Sequence, residues 1–170
     1  MIGQGAATQL ALSSAVDRLT AHASEWSTER ILDEGLDLVR DRVWADASVL
    51  YALRGDRVEI VCRRPGTAGA AGAADEAQPA DWFPWGLAPV SPRRFLFVEQ
   101  AAPLPAVAGD PMTLGEHGIS SCLHLPILER QQPIGALQLF WVEPRLVWDD
   151  GQGRILRSLG RFLLRCAASS

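Results

Sequence analysis

The sequence predicts an α+β domain, an antiparallel sheet with helices from both ends of the chain on one face. Three observations carry this expectation. Apolar residues recur at helical spacing in the first 44 residues and again after residue 150. Runs rich in β-branched and aromatic residues, joined by turn signals, occupy the stretches 47–63 and 120–142. The length of 170 residues, with 48% hydrophobic and 21% charged, suits one globular domain able to bury a core.

The elements follow in order. Leu12, Val16, Leu19, Ala23 and Trp26 alternate steps of four and three, which places them on one stripe of a helix over about 7–25. Ser27 and Thr28 offer an N-cap to a second helix, about 28–44, whose stripe is Leu32, Leu36, Val39 and Val43. Arg54-Gly55-Asp56 is a turn signal between two strands, 47–53 and 57–63. PGTAGAAGAADEAQPA is small and polar without periodicity and reads as a loop; DWFPWGLAPVSPRR reads as irregular with at most one short helical turn. FLFVEQ, 95–100, is a short strand, and Ala101 to Gly115 is loop with a brief helix. Two long strands, about 120–129 and 133–142, flank Arg130-Gln131-Gln132. Asp149 and Asp150 cap a last helix, about 150–167, with Ile155, Leu159, Phe162, Leu163 and Cys166 on its apolar side. Arg154, Arg157, Arg161 and Arg165 line its other side, which reads as a solvated face.

Composition narrows the function classes. A net charge of −4 gives no broad footprint for nucleic acid or anionic lipid. Every basic residue is Arg, which reads as codon bias. Cys62, Cys122 and Cys166 are odd in number and widely spaced, so a reducing cytoplasm is expected rather than a disulfide framework. The opening MIGQGAATQLALSS lacks the positive region and apolar run of a signal peptide. No apolar stretch approaches the roughly 20 residues of a membrane span.

The segment Gly118-Ile119-Ser120-Ser121-Cys122-Leu123-His124-Leu125-Pro126-Ile127 is followed after a turn by Ile134-Gly135-Ala136-Leu137-Gln138-Leu139, and then by Trp148-Asp149-Asp150 at a helix start. This order resembles a GAF domain, the small-molecule sensor module of many signalling proteins. STERILDEGLDLVRDRVWADASVLYAL is similar to the helix and first strand of the same family. The division expected is an N-terminal amphipathic helix, 1–26, and a GAF domain, 27–170. The resemblance implies a five-stranded antiparallel sheet of order 2-1-5-4-3, terminal helices on one face, and a roof of loops and short helices over a pocket on the other. It also implies a bacterial-type regulatory sensor, not an enzyme, that passes a signal through its terminal helices to an effector domain or partner protein. GAF proteins often pair their first and last helices in a parallel dimer bundle. The spacing from Leu12 to Trp26 permits a homodimer helix of this kind, and an intramolecular bundle explains it too.

A turn centred on Gln131 pairs His124 with Gln138 and Cys122 with Phe140, within one bulge. Strand alternation then places Ser120, Cys122, His124, Ala136, Gln138 and Phe140 on one face, and Ser121 with the leucines 123, 125, 137 and 139 on the other. The leucine face wants helices; the mixed face is the expected pocket floor. The candidate ligand-binding residues are Cys122, His124, Gln138, Phe140 and Ser120, with Trp82 and Trp85 as an aromatic lid from the roof. The ligand is unidentified. His124 bonded only to Gln138 or to roof backbone, with no ligand role, is the plain alternative. No metal site is expected, since only His117 adds a nearby ligand to Cys122 and His124. No catalytic residue is expected either, because a Cys–His nucleophile needs a thiolate and an orienting group.

Three departures from GAF subfamilies bear on the cysteine and the ligand. Bilin-attaching members use a Cys followed directly by His upstream of the fourth strand; here the order is Cys-Leu-His within the strand. The methionine sulfoxide reductase type uses several roof cysteines, and residues 64–121 contain none. The cyclic-nucleotide signature needs a Lys, which this chain lacks. Arg63, Arg64, Arg93 and Arg94 could reach an anionic ligand near the rim. Two alternatives stand beside the sensor: a GAF-fold dimerisation module without ligand, and a redox or cofactor-binding protein using Cys122.

Overall fold

The computed structural model describes residues 2–55, 57–64, 78–79, 96–98, 120–144 and 150–169. In chain order they form α1 (Ile2–Ala21), α2 (Thr28–Val43), β1 (Ala47–Arg54), β2 (Arg57–Arg64), β3 (Gln78–Pro79), β4 (Leu96–Val98), β5 (Ser121–Glu129), β6 (Gln132–Trp141) and α3 (Asp150–Ala168). The strands make one antiparallel sheet of order β3-β2-β1-β6-β5-β4. The five expected strands take the expected order. The sheet nevertheless has six, because Gln78–Pro79 adds a two-residue strand on the β2 edge by pairing with Val58 and Arg57. A two-residue pairing leaves no periodic signal to read. Trp82 and Trp85 of the roof expected between the second and fourth of those five strands lie outside the described residues, as do the rim candidates Arg93 and Arg94, the Asp149 cap and His117.

Local chemistry sets the helix ends. Ser27 caps α2 as expected, accepting the Arg30 N–H at 3.3 Å. Trp44 closes it in the left-handed conformation, φ 51° and ψ 43°, with its N–H donated to the Arg40 carbonyl. α1 ends at Ala21, four residues before the expected end. His22 N–H turns back onto the Arg18 and Leu19 carbonyls, His22 stacks on Trp26 at 5.2 Å, and the Arg30 guanidinium lies 4.3 Å from the Trp26 ring centre. Ala23 and Trp26 therefore pack on the core from a turn and not from the helix stripe.

The β5–β6 hairpin is the spine of the sheet. His124 faces Gln138 and Cys122 faces Phe140, and the register runs unbroken from Ser121↔Trp141 to Ile127↔Gly135. It then slips by one residue, so that Ile134 is the extra residue of a bulge. The slip lets Arg130 and Gln131 close the hairpin as a two-residue turn, both at positive φ, 49° and 67°. Gly135 sits where β1 comes closest; a Cβ there would collide with the Tyr51 carbonyl oxygen.

The helices cover one face. Leu50, Ala52, Leu123, Leu125, Ile127, Leu137, Leu139 and Trp141 pack there with Leu12 and Leu19 of α1, Leu36 and Val39 of α2, and Leu156, Leu159 and Leu163 of α3. Two helical glycines set the approach. A Cβ on Gly35 would press the Leu163 side chain, and one on Gly160 would press Ile127. Polar ties finish this face: Ser48 Oγ donates to the Leu36 carbonyl at 3.2 Å, Cys62 Sγ to Asp33 at 3.4 Å, and Arg64 to Asp37 at 2.7 and 3.0 Å.

The arginine row on α3 is not simply solvated. Arg161 donates to the Leu128 carbonyl at 3.0 Å, and Arg165 pairs with Glu129 through Nε at 3.1 Å and through its terminal nitrogen. These bonds fasten the C-terminal half of α3 to the end of β5. Arg154 is exposed as expected. The helical spacing of an Arg row does not say whether a strand end lies beneath it.

Candidate polar floor of the sheet

Strand alternation turns a second set of side chains away from the helices. Ala47, Val49 and Tyr51 from β1, Cys122 and His124 from β5, and Ala136, Gln138 and Phe140 from β6 are all buried on that side. Cross-strand partners share a face, so Arg63, opposite Val49, belongs here too, half-buried. Its neighbour Arg64 points to the helices and Asp37. The registers align these residues in rows across the sheet. One row reads Arg63, Val49, Gln138, His124, and the next reads Ala47, Phe140, Cys122. Tyr51 and Ala136 face each other on the far side of the first row.

The centre of this face is the His124–Gln138 pair. Gln138 Nε2 lies 3.0 Å from His124 Nδ1. An amide nitrogen has no lone pair to offer, so it donates and Nδ1 accepts; the ring proton then resides on Nε2. Burial holds the imidazole pKa down at about 4, so the ring is neutral near pH 7. Burial pushes the Cys122 thiol up to about 12, and it stays protonated. The Tyr51 phenol is likewise driven well above its ordinary range by burial; Arg63 pulls it back in part and Cys122 adds to the rise. The floor is therefore neutral except for Arg63, and no carboxylate lies on it among the described residues.

Of the residues singled out from sequence, Cys122, His124, Gln138 and Phe140 come together on this floor. Ser120 stands at its margin, half-buried, with its N–H donated to the Trp141 carbonyl at 2.9 Å. Trp82 and Trp85 lie outside the described residues. Tyr51 was absent from the sequence set; its face is assigned by the β1–β6 register, which sets it opposite Ala136. Arg63 was grouped with three other arginines, and only the β1–β2 register separates it from Arg64. No group of three His, Cys, Asp or Glu among the described residues could hold a metal ion. Two open clefts, of about 530 and 340 Å³, lie on the helix side, along α1–α2 and around Asp33 and Arg64.

The strand order, with helices on one face and a buried polar floor on the other, defines the class as an α+β domain built on one antiparallel sheet. The GAF domain family model matches residues 27–163, and the chain belongs to that family. Solved structures agree on the fold. The phycoerythrobilin-bound GAF domain from a cyanobacterial phytochrome superposes with a TM-score of 0.72 at 18% identity, over 95% of this chain and 96% of that one. The GAF domain of a phosphoenolpyruvate-protein phosphotransferase from Coxiella burnetii gives 0.71 at 16% identity, over 95% of each chain. A domain of a protein named as a two-component sensor histidine kinase, from Sinorhizobium meliloti 1021, gives 0.60 at 18%, over 83% of this chain and 93% of that one. No curated protein matches the sequence.

Proposed function

We propose that this GAF domain is a regulatory sensor and not an enzyme. It binds a small molecule on the polar floor and passes the change through α1 and α3 to an effector domain or partner. The observation that carries the reading is the buried, neutral His124–Gln138 pair beside Cys122 and Tyr51, on the sheet face that the helices do not use. Polar groups in such a place serve recognition at a cost in stability that a purely apolar face would avoid. The chemistry argues against catalysis. A nucleophilic pair needs a thiolate, and Cys122 is a protonated thiol beside a neutral ring. Two similar structures lend support: one GAF domain holds a bilin, and another fold relative belongs to a protein named as a sensor kinase.

β5 is the natural transmitter. Its alternate residues touch both sides, Cys122 and His124 on the floor, Leu125 and Ile127 against Gly153 and Gly160 of α3. A shift of the strand therefore repositions the helix. A homodimer through α1 and α3 is part of this proposal, as is a reducing bacterial cytoplasm, in keeping with three free thiols. α1 uses Leu12, Ala15 and Leu19 inside its own chain, so a dimer would form on its outer side, where Leu10 is 72% exposed. No described helix is long and apolar enough to cross a membrane.

Native mass spectrometry and an absorbance spectrum of freshly purified protein test the reading. A retained organic molecule, or uptake of one from a metabolite extract, is the expected result. A bare dimer that takes up nothing would replace the sensor with a dimerisation module.

A further inference from the structure

We propose that the arginine stripe on the outer side of α3, joined at the β5 end by Arg130, docks an acidic segment of a partner protein. This holds whether or not the polar floor takes a ligand.

Arg154, Arg161 and Arg165 fall at i, i+7 and i+11, on one narrow face of α3, with Ser158 between them. Arg154, Ser158 and Arg165 are exposed, and Arg161 is half-buried. The stripe runs about 17 Å by helical rise. From Gly151 to Ser169 the sequence has four arginines and no Asp or Glu. α3 is thus a local excess of positive charge on a chain whose net charge is −4.

The end of β5 adds to it. Leu128, Glu129 and Arg130 are consecutive, and each brings one guanidinium to this corner. Arg161 Nε donates to the Leu128 carbonyl at 3.0 Å, Arg165 pairs with Glu129, and Arg130 opens the exposed turn. A guanidinium has five N–H groups. Arg161 spends one of them, on an uncharged carbonyl. Arg165 uses Nε and one terminal nitrogen on Glu129, which leaves the other terminal nitrogen. Arg130 and Arg154 make no hydrogen bond or ion pair among the described residues. Arg165 holds the Glu129 carboxyl below its ordinary range, and Arg130 and Arg161 add to the effect. One carboxylate for three guanidiniums leaves two positive charges without a paired acid among the described residues. Anchored along one edge, Arg161 and Arg165 lose little side-chain freedom when a carboxylate arrives at the other.

Charge selects a partner with carboxylates, and the rest of the molecule selects a short one. Nucleic acid or an anionic membrane extends past the stripe and meets a chain of net negative charge. A segment about as long as the stripe gains the arginines without that repulsion.

The test uses a capped helical peptide of about 15 residues with Glu at i, i+4, i+7 and i+11, a spacing that meets the stripe in either direction. Its control carries Gln at the same positions. An oligothymidylate and phosphatidylserine vesicles are the competing probes. Binding to the full chain is followed by backbone amide shifts in NMR at low ionic strength, where surface charges are least screened. The Glu peptide is expected to shift amides of 128–130 and of α3, and to bind at least about tenfold more tightly than the Gln peptide, a difference of about 1.4 kcal/mol. Arg130→Glu with Arg154→Glu touches no internal bond, so it should keep the melting temperature and lose at least about tenfold in affinity for the Glu peptide. Equal binding of the two peptides, shifts confined to other surfaces, or an unchanged affinity in the double variant overturns the proposal. So does a failure of the Glu peptide to bind at millimolar concentration. Tighter binding of the oligothymidylate or the vesicles than of the Glu peptide overturns the choice of an acidic protein segment.

Discussion

The two faces of the central hairpin are made from the same strands, yet they are built by different rules. On the helix side, Leu123, Leu125, Ile127, Leu137 and Leu139 are fully buried aliphatics locked against α3 and α2. One residue away along each strand, Cys122, His124, Gln138 and Phe140 are also buried but include a thiol, an imidazole and an amide. Burial alone does not distinguish the faces; what each face does with its burial does. The aliphatic side gains stability from packing. The mixed side needs its hydrogen bond merely to offset desolvation, so its residues are chosen for something besides stability.

The largest test sets neighbours against each other. Leu123→Ala should destabilise by about 2–5 kcal/mol, as deletion of a fully buried leucine does. Cys122→Ala, one residue earlier, should cost about 1 kcal/mol. Denaturant unfolding reads both, and equal losses would erase the contrast between faces. Acid should attack the mixed face selectively. His124 titrates near 4 in the folded protein against 6.5 when unfolded, so between these values the unfolded state binds more protons. Its neutral burial is fully tolerated above about pH 6.5, and stability falls as pH drops towards 4. The loss is about 3 kcal/mol from this group alone. A His124→Leu variant should flatten that part of the stability–pH curve.

Gln138→Ala should cost about 1–3 kcal/mol by stranding the His124 acceptor, while the double change to leucine at 124 and 138 should recover most of it. A double-mutant cycle measures the difference, and simple additivity would count against a coupled pair. Thiol labelling near neutral pH sharpens the comparison further. Cys122, 1% exposed and with a pKa raised to about 12, should react only on unfolding. Cys62, raised to about 12 by burial and by Asp33, should react slowly but ahead of it, being half-buried. The smallest effect is expected on the outer tie. Arg165 holds the Glu129 carboxyl below its ordinary range, but both side chains face water, so Glu129→Gln should barely move the melting temperature.

The contrast explains what was legible in the sequence. Alternation writes the two faces directly: a strand with Leu at 123 and 125 and Cys and His at 122 and 124 has one assignment once the turn is centred. The turn itself was blurred by one residue, because a two-residue loop with a bulge and a three-residue loop leave the same upstream register. Tyr51 and Arg63 were harder. Their membership of the floor depends on pairing between β1, β2 and β6, and the β1–β2 ladder carries its own slip at Leu50/Tyr51. The early end of α1 was hidden because Trp26 satisfies a helical spacing while its ring is held by His22 and Arg30 from a turn. Helical periodicity reports which residues face inward, not which backbone carries them.

The bulge at Ile134 has a consequence for how this hairpin can change in length. It has absorbed one residue already, on the turn side of both functional rows, and the two-residue tip beyond it is exposed. Added length near the tip has somewhere to go. Added length upstream of Ile127 does not, since a single inserted residue would exchange the aliphatic and mixed faces along the rest of β5. A glycine inserted after Gln131 is expected to leave a folded domain, and one inserted after His124 is not. The hairpin is free to drift at one end and frozen at the other, and the boundary between the two regimes is a single bulged residue.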